Sequence, residues 1–288
     1  MNDSTGLIEK KHRAISLLRE HRGVLVALSG GVDSATLLAI ACEALGSDRV
    51  LAVTGRSESV TEAEIADAGR VARALGVHHE VVETRELERP EYRANSGDRC
   101  FHCRTELFGI LSAMAGSRGI EAIAYGAIVD DLGDDRPGMS AAKKFGILAP
   151  LLDAGICKAD IRELAKTMGL HIHDKPASPC LASRIPVGME VTSARLEQVG
   201  RAETALRLLG FQRFRVRHHG ELARLELGEG EADRLLSPSL KDAVVAAVRE
   251  AGFRFVALDL EGYRPGGASS KTSPDRLYLI EPMRDSGQ

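Results

Sequence analysis

The sequence predicts an α/β fold in which a doubly wound parallel sheet is followed by a smaller α+β domain. In the first part of the chain, short apolar runs alternate with helical segments of about 10–15 residues, a pattern typical of parallel βαβ units. After Ser193 the order changes to one helix, two strands, a helical stretch and a last strand, which indicates a second unit. The apolar runs of the first unit are Val24–Leu28, Val50–Thr54, His79–Glu83 and Ile120–Tyr125.

Helices are expected between these runs, because apolar residues recur there at helical spacing. Thr61 and Glu64 form a capping box that opens a helix ending near Leu75. The other helices expected in this part span residues 5–21, 35–45, 105–116, 139–145 and 158–168. Three segments are expected to be irregular, namely the polar stretch 84–103, the acidic loop 126–138 and the loop 171–191. A structureless loop as long as the last one is usually functional or disordered.

The second unit is expected to begin with a helix over residues 194–209. It continues with strands over 211–218 and 222–228, helical stretches over 231–251 and a strand over 254–260. We place the boundary between the units within 185–193. The expected domains are therefore residues 1–188 and 189–265, followed by a polar tail, 266–288.

Composition narrows the class of protein. The 288 residues suit about two domains, and the net charge of −3 gives no general attraction for nucleic acid. No apolar run is long enough to cross a membrane, and the N-terminus lacks the features of a signal peptide. The five cysteines are an odd number, which argues against a disulfide framework. We therefore expect a cytoplasmic protein that binds neither nucleic acid nor membrane.

A glycine-rich turn lies between the first apolar run and the helix that follows it. Its residues are Ser29, Gly30, Gly31, Val32, Asp33 and Ser34. Two glycines allow a tight turn with exposed N–H groups, the helix N-terminus adds positive charge, and the serines add hydroxyl donors. These features predict a phosphate-binding loop, although an ordinary strand–helix turn is the alternative. The loop has no lysine, so it is not the P-loop of kinases and GTPases.

The order Ser-Gly-Gly-x-Asp-Ser resembles the pyrophosphate loop of the PP-loop ATP pyrophosphatase superfamily. The resemblance implies a sheet of that type, with ATP held through its β- and γ-phosphates and its α-phosphate open to attack. It also implies adenylation of an acid or amide oxygen with release of pyrophosphate. Ser29, Gly30, Gly31, Asp33 and Ser34 are the expected ATP-binding residues.

Cys180 is the strongest candidate for a reactive side chain. It lies in the long loop near Lys175 and Arg184, whose positive charges are expected to lower the pKa of the thiol. Pro176 and Pro179 stiffen the segment. A buried, unreactive cysteine is the alternative interpretation.

Cys100 and Cys103 form a Cys-x-x-Cys pair, which is a weak signal when it stands alone. The pair could be half of a zinc site, a redox pair or part of an iron–sulfur site. Together with Cys180, the three thiolates could hold a [4Fe–4S] cluster with one iron left open.

Charged residues form two further candidate sites. Arg213, Arg215 and Arg217 alternate along one strand face, where guanidinium groups suit phosphate, although a solvated face balanced by Glu226 is the alternative. Glu203 on the preceding helix could complete that pocket. Mg²⁺ could bind the acidic loop or Asp33, since it needs only one or two carboxylates besides phosphates; a solvated turn is the alternative. The acidic residues of the loop are Asp130, Asp131, Asp134 and Asp135.

Taken together, several segments resemble the LarE family over about residues 5–265. Its members are ATP-dependent sulfur transferases that make the nickel-pincer nucleotide cofactor of lactate racemase. The segments that carry the resemblance are Ser29–Ser34, Asp130–Gly138, Lys158–Arg162, Lys175–Pro176, Cys180–Ile185 and Arg213–Arg217. One departure is Ile128, where the family often has asparagine.

The resemblance implies that ATP adenylates a carboxylate of pyridinium-3,5-biscarboxylic acid mononucleotide, which then becomes a thiocarboxylate. It implies ATP and Mg²⁺ as cofactors, other nickel-pincer biosynthesis proteins as partners, and a homo-oligomer. Arg215 and Arg217, with Glu203, are expected to hold the substrate phosphate. Further contacts to nucleotide or substrate are expected from Gly126, Asp131 and Arg136.

Two sources of sulfur are compatible with the family. In one, Cys180 attacks the acyl-adenylate and gives up its own sulfur, leaving dehydroalanine. In the other, Cys100, Cys103 and Cys180 hold a [4Fe–4S] cluster whose open iron carries the transferred sulfide, and the three-cysteine pattern favours this version. Outside the family, a PP-loop tRNA thiolase and a non-catalytic nucleotide-binding or iron–sulfur carrier module are the alternatives.

Overall fold

The computed structural model describes residues 3–132, 137–176 and 178–263. These residues form a four-stranded parallel sheet covered by helices on both faces, and a smaller three-stranded sheet nearer the C-terminus. The predicted fold class is therefore confirmed. Within these ranges, no helix combines the length and the apolar character that a membrane crossing needs.

The first sheet has the spatial order β3-β2-β1-β4. Its strands are β1 (Val24–Ala27), β2 (Val50–Arg56), β3 (His78–Glu83) and β4 (Ala122–Tyr125). The chain leaves β1 towards β2 and β3, and later returns to place β4 on the other side of β1. Such a reversal opens a crevice at the carboxyl ends of the two central strands, where ligands of α/β proteins bind.

Helices cover both faces of this sheet. The helices of this part of the chain are α1 (Asp3–Arg19), α2 (Val32–Leu45), α3 (Glu62–Ala74), α4 (Pro90–Ala94), α5 (Arg99–Arg118), α6 (Pro137–Lys144), α7 (Pro150–Asp153) and α8 (Lys158–Thr167). Of these, α4 packs through Tyr92 in the core of the second sheet instead. Val24 and Val26 of β1 pack on one face with Ile40 of α2, whereas Leu25 packs on the other with Phe108 of α5. Because both faces are covered, β1 is a continuous apolar run rather than an alternating one.

The second sheet has its own core. Its strands are β5 (Phe214–His219), β6 (Leu222–Leu227) and β7 (Phe255–Leu258), packed with α9 (Ser193–Leu208) and α10 (Pro238–Glu250). β5 and β6 are antiparallel, whereas β6 and β7 are parallel. Leu181 and Ile185, from the long loop before this unit, pack into the same core. The loop that carries Cys180 is thereby anchored to the second sheet.

The structure corrects several predicted bounds. The stretch 84–103 is not irregular, because α5 begins at Arg99 instead of Thr105 and places Cys100 and Cys103 in its first turn. Asp98 makes no side-chain cap, so packing sets the start of α5: Phe101 packs against one core and Cys103 against the other.

Shorter helical turns also occur in segments expected to be irregular, at Glu86–Glu88, Pro90–Ala94, Val129–Asp131 and Leu181–Arg184. Strand β5 begins three residues later than predicted, at Phe214. Arg136 and the polar tail 266–288 lie outside the described residues.

Asn95 holds the connection between the two sheets. Its side chain is 1% exposed, and Nδ2 donates to the carbonyl oxygens of Pro186 (2.7 Å) and Met189 (3.0 Å). Its own carbonyl accepts the N–H of Gly188 at 3.0 Å. Asn95 adopts a left-handed conformation (φ 53°), which asparagine tolerates better than most residues. The residue therefore acts as a clamp on the connector.

Replacing Asn95 with alanine is expected to lower the free energy of unfolding by about 1–3 kcal/mol, because the partly buried carbonyl groups of Pro186 and Met189 lose their donor. Urea unfolding monitored by circular dichroism measures this. Asn95→Gly is the matched control, since it relieves the backbone but also lacks the amide. Wild-type stability in Asn95→Gly would show that the conformation matters and the clamp does not.

Candidate active site

The glycine-rich loop lies at the carboxyl end of β1, where the sequence places it. Gly30 has φ 73°, and Gly31 is the N-cap of α2. Ser34 Oγ accepts the N–H of Ser29 (3.1 Å), lies 3.1 Å from Ser29 Oγ and donates to Gly31 O at 3.1 Å. The loop is thus held in shape by its own serines, with the N-terminus of a long helix behind it.

Two glycines allow other parts of the chain to approach this loop. A Cβ on Gly30 would lie 2.5 Å from Glu64 O of α3. A Cβ on Gly126, just after β4, would lie 2.8 Å from the backbone N of Ser34. The glycine requirement at position 126 therefore has a steric cause, since the two central strands meet at the loop.

Two lysines from distant segments reach the loop, and the sequence analysis did not assign either of them to it. Lys158, the first residue of α8, places Nζ 2.7 and 2.9 Å from the two carboxylate oxygens of Asp33. Lys175 Nζ donates to Gly30 O (2.8 Å) and to Asp67 (2.6 Å). The loop has no lysine of its own but receives two from elsewhere. For Lys158, the sequence signal that was available was its position at the start of a predicted helix.

The Lys175 contact affects the ionisation of Asp67. Burial alone would raise the pKa of this carboxyl, but the hydrogen bond and charge of Lys175, helped by Arg70, hold the pKa below its usual value. Lys175 therefore serves the loop and α3, and the expectation that it sits beside Cys180 to activate the thiol is not met.

The carboxylates of the acidic loop cap backbone groups. Asp131 accepts the N–H of Ile128 at 3.0 Å, and Asp130 accepts the N–H of Lys158 at 2.8 Å. Ile128 itself is 3% exposed and packs in the main core, which accounts for an apolar residue at this position. Asp134 and Asp135 lie outside the described residues.

Cys180 is held by a buried guanidinium. Arg184 forms a two-pronged ion pair with Glu203 (2.8 and 2.9 Å), and its remaining nitrogen donates to the carbonyl oxygens of Pro179 and, at 3.1 Å, Cys180. Burial raises the pKa of the Cys180 thiol, and the charges of Arg99 and Arg184 only partly oppose this. The prediction of a lowered thiol pKa is therefore wrong, because it considered neighbouring charges and ignored burial.

The three candidate cysteines lie in one region of the fold, because Cys103 and Cys180 pack against the same core and Cys100 lies in the same helix as Cys103. The charge of Cys180 and that of Cys100 both act on Cys103, whose pKa is raised mainly by burial and next by Glu86. Thiolates are the usual holders of iron–sulfur clusters, so the donor chemistry fits. In the described ranges, however, no three His, Cys, Asp or Glu side chains already stand at metal-binding separation. The thiols converge without forming a finished ligand set.

Two arginines of the predicted face, Arg215 and Arg217, are buried, whereas Arg213 is exposed. Arg217 pairs with Glu226 across the strands (2.9 Å for both contacts) and donates to Ser183 O at 2.8 Å. Arg215 stacks on Tyr263, and its pKa is lowered by burial and by the nearby Arg184. Arg184, Arg215 and Arg217 thus form a cluster in which Arg184 pairs with Glu203 and Arg217 with Glu226. Arg213 takes no part in it.

The part of the chain that carries the glycine-rich loop is similar to known proteins. The NAD synthase family model matches residues 13–99, and an NH(3)-dependent NAD(+) synthetase of Archaeoglobus fulgidus is 43% identical over 68 residues, 23% of this chain and 28% of the relative. The family-model match includes strands β1 to β3 and the glycine-rich loop, and both matches are confined to part of the chain.

Two longer matches extend over nearly the whole chain. An uncharacterized protein of Synechocystis sp. is 41% identical over 84% of this chain and 90% of its own length. The pyridinium-3,5-bisthiocarboxylic acid mononucleotide synthase of Lactiplantibacillus plantarum is 35% identical over 90% of this chain and 94% of its own length. Both matches therefore extend well beyond the part of the chain that resembles NAD synthase.

Gly126→Ala is expected to weaken ATP binding and to destabilise the fold by at least about 1 kcal/mol, because the new methyl group overlaps the backbone of Ser34. Titration calorimetry with a non-hydrolysable ATP analogue measures the affinity. Gly116→Ala in α5 is the control, since a methyl group there meets nothing within 4 Å. Equal affinities for the two variants would contradict the steric argument.

Lys175→Met is expected to raise the pKa of Asp67 towards its ordinary value. A depressed carboxyl pKa contributes stability above the unfolded pKa, and that contribution is lost as pH falls through the folded value. The wild type should therefore lose more stability on acidification across that window than Lys175→Met. Carboxyl carbon NMR gives the midpoint directly, with Lys166→Met as control; an unmoved Asp67 midpoint in Lys175→Met would refute the coupling.

Proposed function

The chain belongs to the LarE family of pyridinium-3,5-bisthiocarboxylic acid mononucleotide synthases, and we propose that it converts a carboxylate of pyridinium-3,5-biscarboxylic acid mononucleotide into a thiocarboxylate, using ATP. One observation carries the proposal. The segment with Cys180 is tied to the carboxyl edge of the sheet at two points: Lys175 Nζ bonds Gly30 O, and the N–H of Leu181 bonds Ser59 O, both at 2.8 Å. The activating loop and the sulfur-bearing loop therefore border the same crevice.

In the first step, the loop binds ATP together with Mg²⁺. The N–H groups at the start of α2 and the hydroxyl groups of Ser29 and Ser34 face the β- and γ-phosphates. Lys158 and Lys175 add positive charge where pyrophosphate develops. A carboxylate oxygen of the substrate attacks the α-phosphorus, the bond to the β-phosphate oxygen breaks, and pyrophosphate leaves with its electron pair.

In the second step, sulfur replaces AMP on the activated carbon. A sulfur nucleophile adds to the acyl carbon, the carbon–oxygen bond breaks, and AMP leaves carrying one former carboxylate oxygen. Arg184 fixes the backbone at Pro179 and Cys180, so the sulfur is presented from a rigid loop.

We propose Cys100, Cys103 and Cys180 as the ligands of a [4Fe–4S] cluster, which would supply a bound sulfide for the transfer. The support is the approach of three thiols from two separate segments of the chain. The alternative is that Cys180 donates its own sulfur and becomes dehydroalanine. Both versions place the reacting sulfur at the same loop.

The substrate's phosphate is proposed to bind Arg215 and Arg217. Arg215 and Arg217 are both buried on neighbouring positions of one strand face, and guanidinium groups suit phosphate. Glu203 keeps Arg184 in place beside them. We further propose nucleotide or substrate contacts from Gly126, Asp131 and Arg136.

The protein is proposed to act in the cytoplasm as a homo-oligomer with other nickel-pincer biosynthesis proteins. The support for the compartment is the presence of five free cysteines. The net charge of −3 disfavours the tRNA thiolase alternative, because no electrostatic surplus is available for the RNA backbone.

Cys180→Ala is expected to abolish thiocarboxylate formation while pyrophosphate is still released when the pyridinium substrate is added. The reason is that activation takes place at the loop, and transfer needs the thiol. Pyrophosphate and product are measured in the same reaction. Cys42→Ala is the control, since burial raises the pKa of that thiol to about 11 and it lies within α2. Full product formation by Cys180→Ala would refute the proposal.

The mass of the intact protein after one turnover separates the two sulfur sources. Loss of the elements of hydrogen sulfide at Cys180 identifies this residue as the donor. An unchanged polypeptide mass, with thiocarboxylate formed and iron present, supports the cluster. Bound zinc without iron would instead make Cys100 and Cys103 part of a structural site.

A further inference from the structure

Arg99 is a cation near the three thiols, and none of the described carboxylates forms an ion pair with it. It is the first residue of α5, directly before Cys100, and is half-buried. Its Nη1 donates to the neutral side-chain oxygen of Asn95, and among the described residues no carboxylate forms an ion pair with it. By contrast, Arg184 donates two hydrogen bonds to one glutamate, and Arg217 donates two to another.

The position of Arg99 is fixed by the connector clamp. Asn95 uses Nδ2 for the connector carbonyls and its oxygen for Arg99, so one edge of the guanidinium is held, while the other edge bonds to none of the residues that the structure describes. The guanidinium acts electrostatically on Cys180, where it is the strongest of the charges that oppose the effect of burial. A fixed, half-buried cation with a free edge suits a carboxylate, because guanidinium groups bind carboxylates through two parallel hydrogen bonds.

A second unpartnered group lies at the same thiols. Glu86 is 1% exposed, and its Oε2 has no hydrogen-bond partner in the described part of the chain. Its charge acts on Cys103, whereas the charge of Arg99 acts on Cys180. Buried carboxylate oxygens without partners are rare in folded proteins and call for a ligand or a positive charge nearby.

These two groups match the charges of the proposed substrate. A pyridinium biscarboxylate carries a fixed positive charge on its ring and two carboxylates, of which one is adenylated while the other stays anionic. Resting on the proposed function, we propose that Arg99 binds the carboxylate that is not being activated, with the cationic ring turned towards Glu86. Arg99 is then a specificity residue that selects pyridinium mononucleotides with two carboxylates over those with one.

The test compares two substrates, pyridinium-3,5-biscarboxylic acid mononucleotide and nicotinic acid mononucleotide, which lacks the second carboxylate. The wild type should prefer the first. In Arg99→Met the ratio of the two kcat/KM values for pyrophosphate release should fall about 10- to 100-fold, as expected for loss of a charged hydrogen-bond pair. The loss should come from a raised KM for the biscarboxylate. The ratio for Arg99→Lys should lie between those of the wild type and Arg99→Met, since lysine keeps the positive charge but cannot form two parallel hydrogen bonds.

Arg118→Met is the matched control, because Arg118 ends the same helix and pairs with Glu80 at the surface. Its ratio should equal that of the wild type. Thermal unfolding followed by circular dichroism checks each variant, and Arg99→Lys carries the comparison if Arg99→Met does not fold.

An active wild type with an unchanged ratio in the Arg99 variants would overturn the role of Arg99. An equal fall in kcat for both substrates would also overturn it, since the cation would then act on the sulfur step. A wild type that releases no pyrophosphate with either substrate contradicts the proposed function instead.

Discussion

The buried ion pair between Arg184 and Glu203 is the interaction on which the site depends. Both side chains are almost fully buried (1% and 3% exposed), so each charge relies on the other. Glu203 Oε1 also accepts the N–H of Val216 in β5, and Arg184 also holds the Pro179 and Cys180 carbonyls. One pair thus joins α9, β5 and the cysteine loop. Removing either partner would leave an uncompensated buried charge, at a cost of about 3–5 kcal/mol.

The activating half of the site depends on a different constraint, the convergence of parallel strands at one edge of a sheet. Strands β1 and β4 end side by side, so Gly126 must be small for Ser34 to keep its place. Segments far apart in sequence meet at this edge, which is how Lys158 and Lys175 come to supply a loop without a lysine. The Lys175 contact, together with the Leu181–Ser59 bond, brings the sulfur-bearing segment to the same edge.

Local signals in the sequence predicted the parallel sheet, the loop at its edge and the capping box of Thr61 and Glu64, because each is set by neighbouring residues. The features that these local signals do not predict depend on residues that meet only in the folded chain. Because packing, and not a local capping signal, sets the start of α5, the sequence predicted a loop at Cys100 and Cys103, although both lie in the helix. The sign of the thiol pKa shift at Cys180 was wrong for a similar reason, since burial outweighs the nearby cations.

The central claim is that activation at the loop and sulfur delivery at Cys180 act on the same carbon atom. Substrate labelled with ¹⁸O in its carboxylates tests this in a single turnover with unlabelled ATP. Because a carboxylate oxygen attacks the α-phosphorus and leaves with it, each AMP formed should carry one ¹⁸O atom, with one thiocarboxylate formed per labelled AMP. AMP without ¹⁸O alongside thiocarboxylate product would contradict the account, since the carboxylate would then have been activated by some other route.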